Sequence, residues 1–317
     1  MDATHALFER LIDYAGLFPP AQLDMAPAVE EFGVLRKGPW AWMAGRFIVP
    51  ASRTFELCEE LEDLDFRGDP YALSVIIDAG ADPRAWLGEA SNRLASVAKL
   101  QAEGLPVRIE ALEVPVPPIQ AARDTYDSVI GQFGMLAQNA GLRDLPTYIE
   151  IPRTDGWQRV LPGAMAAIAR GKFGAKLRCG GVAASAFPSS EEVAAFISAA
   201  FEHDVAFKAT AGLHHPVRHP DAATGFVMHG FLNVLAAAIF VRDGAGAAEL
   251  AEMLEERDER AFGLGADTFT WRARAASLHQ IEITRAGGFV SYGSCSFEEP
   301  VQDLIALHML APANVNA

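Results

Sequence analysis

The chain has 317 residues, 50% of them hydrophobic and 21% charged, and a formal charge of −15 at pH 7. That composition suits a globular protein with a large core, and its acidity disfavours any general role on nucleic acid or on an anionic membrane. Cys58, Cys179 and Cys295 are odd in number, far apart and without a CxxC, so neither a disulfide framework nor a zinc finger is expected, and a reducing cytoplasm is the expected location.

Strand-like and helix-like segments alternate along the chain. MDATHALFERLIDY lacks the basic start and apolar core of a secretory signal, and LIDYAGLF (11–18) offers a short first strand before the helical MAPAVEEFGVL. WMAGRFIVP (42–50) reads as a strand and TFELCEELEDL (54–64) as a helix. YALSVIIDA (71–79) reads as a buried strand, and 82–104 as an amphipathic helix with Asp82 as its cap and Gly104 at its end. VRIEALEVPV (107–116) is the next strand and 118–141 the next helix. PTYIEIP (146–152) and GAKLRCGG (174–181) are strands flanking a helix near 157–170. Ser189 and Glu192 have capping-box spacing at the head of a helix over 189–204. VAFKATAG (205–212) is a strand, followed by expected helices over 226–242, 246–261 and 268–284. FVSYGSCS (289–296) is a last strand before a closing helix. The tract FLNVLAAAIFV (231–241) is too short to span a bilayer and contains Asn233.

Eight strands separated by helices imply parallel pairing and predict a (β/α)8 TIM-type barrel, one domain over 1–311, with extra helices in the C-terminal third (226–284) and a frayed tail at 312–317. An open doubly wound sheet is the competitor, but no Gly-x-Gly-x-x-Gly or P-loop stands at a strand-to-helix turn.

In such a barrel the C-terminal strand ends face the active-site mouth. Those ends carry Asp13 and Tyr14, Ser52 and Arg53, Asp78, Glu110 and Glu113, Glu150, Lys176 and Arg178, Lys208 with His214 and His215, and Ser294, Cys295 and Glu298. Strand ends are also surfaces, where charge is ordinary. Lys176 and Lys208 are less ordinary, because each lies inside an apolar strand. Burial there would depress a lysine's pKa and free the amine for Schiff-base or general-base chemistry. No Asp or Glu falls in 174–182 or 205–220, which predicts a cationic pocket for an anionic substrate. Gly180, Gly181 and Gly212 would let backbone N–H groups approach that anion, or else only form tight turns. Cys179 lies beside Arg178, which would lower its pKa. His215 and His219 have the spacing of metal ligands on a helix, but Pro216 and Pro220 conflict with that helix.

The phrases LIDYAGLFPPA, GRFIVPASR, AKLRCGGV, FKATAGLHHPVRH and HGFLN together resemble a family of bacterial hypothetical proteins of about this length; that resemblance carries over no catalytic residues. Lysines inside late strands, as in FKATAG, are similar to those of Schiff-base aldolases on (β/α)8 barrels, such as deoxyribose-phosphate aldolase. The adjacent histidine pair departs from that pattern.

The expectation is therefore an enzyme acting on a small anionic metabolite, a carboxylate or phosphate, by lyase or isomerase chemistry with proton transfer. Lys208 is the Schiff-base nucleophile or general base, His214 or His215 shuttles protons, and Glu150 is the complementary acid. Lys176, Arg178, Gly180, Gly181, Gly212, His229 and Asn233 contact substrate. One alternative is a metal-dependent hydrolase or isomerase, with Glu150, His214, His215 and His229 as candidate ligands for a divalent metal. The other is a non-catalytic binding or scaffold protein. Neither nucleic acid nor membrane is an expected partner; a second copy of the chain is.

Overall fold

Why the strands close on themselves follows from what each presents to its two faces. In the computed structural model, which describes residues 2–62, 68–119, 125–154, 156–221 and 225–313, the barrel strands are β1 Ile12–Tyr14, β2 Ala44–Pro50, β3 Tyr71–Ile76, β4 Val107–Pro115, β5 Thr147–Glu150, β6 Gly174–Arg178, β7 Phe207–Thr210 and β8 Phe289–Ser294. They form a closed parallel barrel in which β1 pairs with both β2 and β8. The outward residues are apolar and meet the helices. Phe207 and Phe289 stack at 5.1 Å, and Phe196 of the helix Ser190–Glu202 meets Phe207 edge-on at 5.5 Å. The inward residues are largely polar, so two cores of opposite character share one sheet.

All eight expected strands are present, each within a few residues of its expected bounds. The expected capping box at Ser189 and Glu192 is formed. The helix expected from Asp82 starts later, at Trp86, because Asp82 first closes a turn with Arg84 and accepts from Trp86 through its carbonyl. Residues 120–124, at the head of the helix expected over 118–141, lie outside the described residues, as do 63–67, 222–224 and 314–317; the remainder of that helix is Tyr126–Asn139.

The C-terminal third departs most from expectation. The helix expected over 268–284 is replaced by a three-stranded antiparallel sheet of Phe262–Leu264, Thr268–Trp271 and Arg274–Ser277, with helix only at Leu278–Gly287. Thr268 and Thr270 alternate with the buried Phe269 and Trp271, a period of two that outweighs the helix-forming Arg and Ala that follow. The helices expected over 226–242 and 246–261 shorten to Phe231–Arg242 and Ala247–Glu255. Phe231–Arg242 is buried on nearly every side, as suits a helix apolar all round.

Candidate active site

Three local irregularities aim polar groups into the barrel. The β1–β2 register shifts between Ile12 and Tyr14, turning the Arg46 N–H toward Asp13, whose Oδ1 accepts it at 2.8 Å. Gly45 makes that approach feasible, since a Cβ there would lie 2.3 Å from Asp13 Oδ1. The β7–β8 register shifts between Phe289 and Ser291, so Phe289 faces the helices while Ser291 faces inward and donates to Asp13 Oδ2 at 2.7 Å. A third shift, between Leu73 and Ser74 in the β3–β4 pairing, accompanies a bond from Ser74 Oγ to Glu113 Oε1 at 2.7 Å.

Two lysines meet at this interior. Lys176 and Lys208 are register partners on β6 and β7. Lys208 Nζ lies 2.7 Å from Asp13 Oδ2 and 2.5 Å from Glu113 Oε1. Lys176 Nζ lies 2.7 Å from Glu113 Oε2 and 2.9 Å from Glu150 Oε2. Glu113 therefore bridges both amines. Beyond it the charges go on alternating in both directions. Toward the mouth, Glu150 Oε1 accepts from Arg178 Nε at 3.1 Å; toward the other end, Arg46 lies near Asp13 and 3.3 Å from Glu110, which also pairs with Arg10 and Arg108.

Burial grades along this column. Asp13, Ser74, Glu113 and Lys208 have no solvent exposure, Glu150 is 12% exposed through its side chain, and Arg178 is 53% exposed. Solvent partly reaches Pro50, Ile76, Pro115, Glu150 and Thr210 at the C-terminal strand ends. Lys176 is thus one contact from a residue that water touches, whereas Lys208 is sealed beneath it. A separate hollow of about 520 Å³ opens at the N-terminal end of β5 and β6, lined among others by Tyr148, Lys172, His203 and Asp204.

The electrostatics follow from these pairings. Burial works against ionised Glu113, but Lys176 and Lys208 outweigh it and hold the carboxyl far below the usual range. For Asp13 the opposing burial is outweighed by Lys208 and then Arg46, and for Glu150 by Lys176 and then Arg178. Burial likewise opposes the Lys208 ammonium, yet Asp13 and Glu113 raise its pKa above the ordinary lysine value.

Three expectations are corrected here. The residues 174–182 and 205–220 do not make a pocket with surplus positive charge, because β1, β4 and β5 bring Asp13, Glu113 and Glu150 to them. Nor is Lys208 a depressed, neutral amine, since paired carboxylates outweigh its burial. A third correction concerns Cys179, whose thiol burial pushes up to about 12 despite its place beside Arg178.

The histidines fall elsewhere. His214 Nδ1 lies 3.8 Å from Cys295 Sγ and 3.5 Å from Glu299, and burial lowers its pKa, with Glu299 opposing. His215 pairs with Asp303 at 2.6 Å and crosses His219 edge-on with ring centroids 4.5 Å apart. His229 is sealed in: Nε2 donates to the Pro188 carbonyl at 2.8 Å and Nδ1 accepts from Arg218 at 3.0 Å. Asn233 accepts from the Arg218 N–H and donates to the carbonyls of Met253 and Glu256, tying a loop to two helices. His229 and Asn233 have spent their polar atoms on the protein, contrary to the expected substrate contacts. The expected ligands Glu150, His214, His215 and His229 do not converge, and among the described residues no group of three or more His, Cys, Asp or Glu could hold a metal ion. Gly180 and Gly212 pack backbone against backbone, a Cβ on Gly180 falling 3.1 Å from Gly212 Cα, so these two glycines let the β6 and β7 turns touch.

Asp13 and Glu113 stand among the strand ends expected from the sequence, whereas Arg46, Ser74 and Ser291 do not. Their one signal was polarity at alternate positions of apolar strands, as in LIDY and EALEVP.

Fold and interior together define a parallel (β/α)8 barrel with a lysine pair buried under its C-terminal mouth. The chain is similar in structure to a tetrameric deoxyribose phosphate aldolase from Aeropyrum pernix, with a TM-score of 0.51 and 13% identity, over 96% of this chain and 93% of that one. No family model matches the chain, and no curated protein does. Among the described residues no helix is long and apolar enough to cross a membrane.

Proposed function

We propose that the protein is a lyase of the aldolase type, acting on a small anionic carbonyl compound through an imine formed on Lys176. The observation that carries this reading is the shared carboxylate: Glu113 bridges two lysine amines, and the outer one, Lys176, also touches Glu150. The likeness in fold to an aldolase supports the same class. The choice between the lysines rests on position: both are buried, but Lys176 touches Glu150 toward the mouth, whereas Lys208 is enclosed between Asp13 and Glu113.

The chemistry asks for a neutral amine. Glu150 Oε2, 2.9 Å from Lys176 Nζ, is the acceptor nearest the mouth. With its proton passed to Glu150, the Lys176 nitrogen adds to the substrate carbonyl carbon. The carbonyl oxygen takes one proton from that nitrogen and one from Glu150 and leaves as water, giving the protonated imine. That cation draws electrons from the adjacent carbon, so a C–C bond there breaks or a proton leaves. Lys208 stays charged throughout and keeps Glu113 ionised beside the imine. When the imine hydrolyses, Glu150 takes a proton from the attacking water and passes it to the released amine. His214, neutral and near the mouth, is the proposed second proton carrier.

Borohydride reduction in the presence of carbonyl compounds tests this. Wild-type protein is expected to gain one covalent adduct that peptide mapping places at Lys176, and Lys176→Arg, which keeps the charge, is expected to gain none. Undiminished labelling of Lys176→Arg, or an adduct on Lys208, would overturn the assignment.

A further inference from the structure

We infer that the substrate of this site carries a carboxylate rather than a phosphate, and that Arg178 reads it. This rests on the imine reading above and narrows it.

Arg178 closes β6 two residues beyond Lys176, on the same face of the strand, so it stands at the mouth above that amine. Its Nε is held on Glu150 Oε1 at 3.1 Å, and among the described residues its two terminal NH2 groups make no hydrogen bond to protein. A guanidinium anchored at one edge presents a planar pair of donors on the other, the geometry that suits a carboxylate. Glu150 holds both cations, Lys176 at 2.9 Å and Arg178 at 3.1 Å. Two groups reached by one carboxylate are close enough for one short oxo acid to meet both, with its carbonyl at Lys176 and its carboxylate at Arg178.

The other side of the mouth is unsuited to phosphate. Barrels commonly cradle phosphate at the turns after the last two strands and at a helix N-terminus there. Here the helix after β8, Glu298–Ala306, has Glu298 and Glu299 in its first turn, both exposed. The Glu299 N–H is already committed, donating to Ser296 Oγ at 3.2 Å. His214, beside Glu299, has its pKa lowered by burial and offers no fixed charge in compensation. In the turn after β7, a Cβ on Gly212 would fall 3.2 Å from the Cys179 carbonyl oxygen and 3.4 Å from Gly180 Cα, so backbone fills that side of the glycine. A phosphate dianion arriving there meets two carboxylates and no unpaired cation among the described residues.

Reductive trapping with three probes tests the inference: pyruvate, acetaldehyde and glyceraldehyde 3-phosphate, each with borohydride, with adduct formation followed by intact mass. Pyruvate is expected to label at least about tenfold faster than the phosphorylated aldehyde. Arg178→Gln is expected to slow pyruvate labelling at least about tenfold more than it slows acetaldehyde labelling. Glu298→Gln with Glu299→Gln is expected to speed labelling by the phosphorylated probe alone. If the phosphorylated probe labels fastest, or Arg178→Gln slows pyruvate and acetaldehyde equally, the carboxylate assignment is wrong while the imine reading stands. If no probe labels wild-type protein, both fall together.

Discussion

Lys208 shows how a buried charge is tolerated. Its amine has no solvent, but Asp13 and Glu113 lie within 2.7 Å and Tyr148 offers a ring face at 5.8 Å. Lys208→Met would leave those two carboxylates without their common cation. It is expected to cost about 3–5 kcal/mol in urea unfolding, well above the cost of Lys99→Met, whose i,i+4 pair with Glu103 lies in solvent. His229 gives a second prediction. Burial lowers its pKa from 6.5 to about 4, so the folded protein holds it neutral where the unfolded chain would protonate it. Its contribution is present above pH 6.5 and is lost as pH falls from 6.5 toward 4, by up to about 3 kcal/mol. Urea midpoints for wild type and His229→Gln should converge across that window. The lysines themselves were legible in the sequence because AKL and AFKAT put a charge inside an apolar strand. Their partners were not, because Asp13 and Glu113 lie 195 and 95 residues from Lys208 along the chain.

At the level of elements, the strands were legible and their irregularities were not. Apolar runs bounded by Gly and Pro mark where strands lie, but a one-residue register shift leaves no such trace. Those shifts decide which side chains enter the barrel: Ser291 faces in only because the chain slips after Phe289. Gly45 sits in the shifted part of β2, and Gly45→Ala would press a methyl against Asp13 Oδ1 and the carbonyls of Arg10 and Ile12, at 2.3, 3.2 and 3.3 Å. A loss of about 1–3 kcal/mol is expected, read as a lowered urea midpoint with the slope unchanged. The sheet at 262–277 was misread for a related reason. Its strands are short, and Arg274 and Ala275 favour helix locally, while burial of Phe269, Trp271 and Ala276 settles the matter only in the folded protein.

Across the whole molecule, the alternation of strands and helices made the barrel legible, because parallel strands need crossovers and eight of them can close. Charge was legible only in total. The formal −15 says nothing of the interior, where cations and carboxylates alternate from Arg178 at the mouth to Glu110 near the opposite end. The column has a consequence for acid stability. Asp13, Glu113 and Glu150 all have lowered pKa values, so each stabilises the fold above the unfolded carboxylate range and ceases to as pH drops through its folded value. Unfolding below about pH 4 is therefore expected to be steeper than His229 alone would give, and Glu113→Gln should reduce that steepness.

The most direct measurement is a crystal structure at neutral pH that resolves the Glu113 carboxylate. Both lysine amines should lie within hydrogen-bonding distance of it, Lys176 on one oxygen and Lys208 on the other. An electron-density map with either amine turned toward the helices or into bulk water would contradict the account.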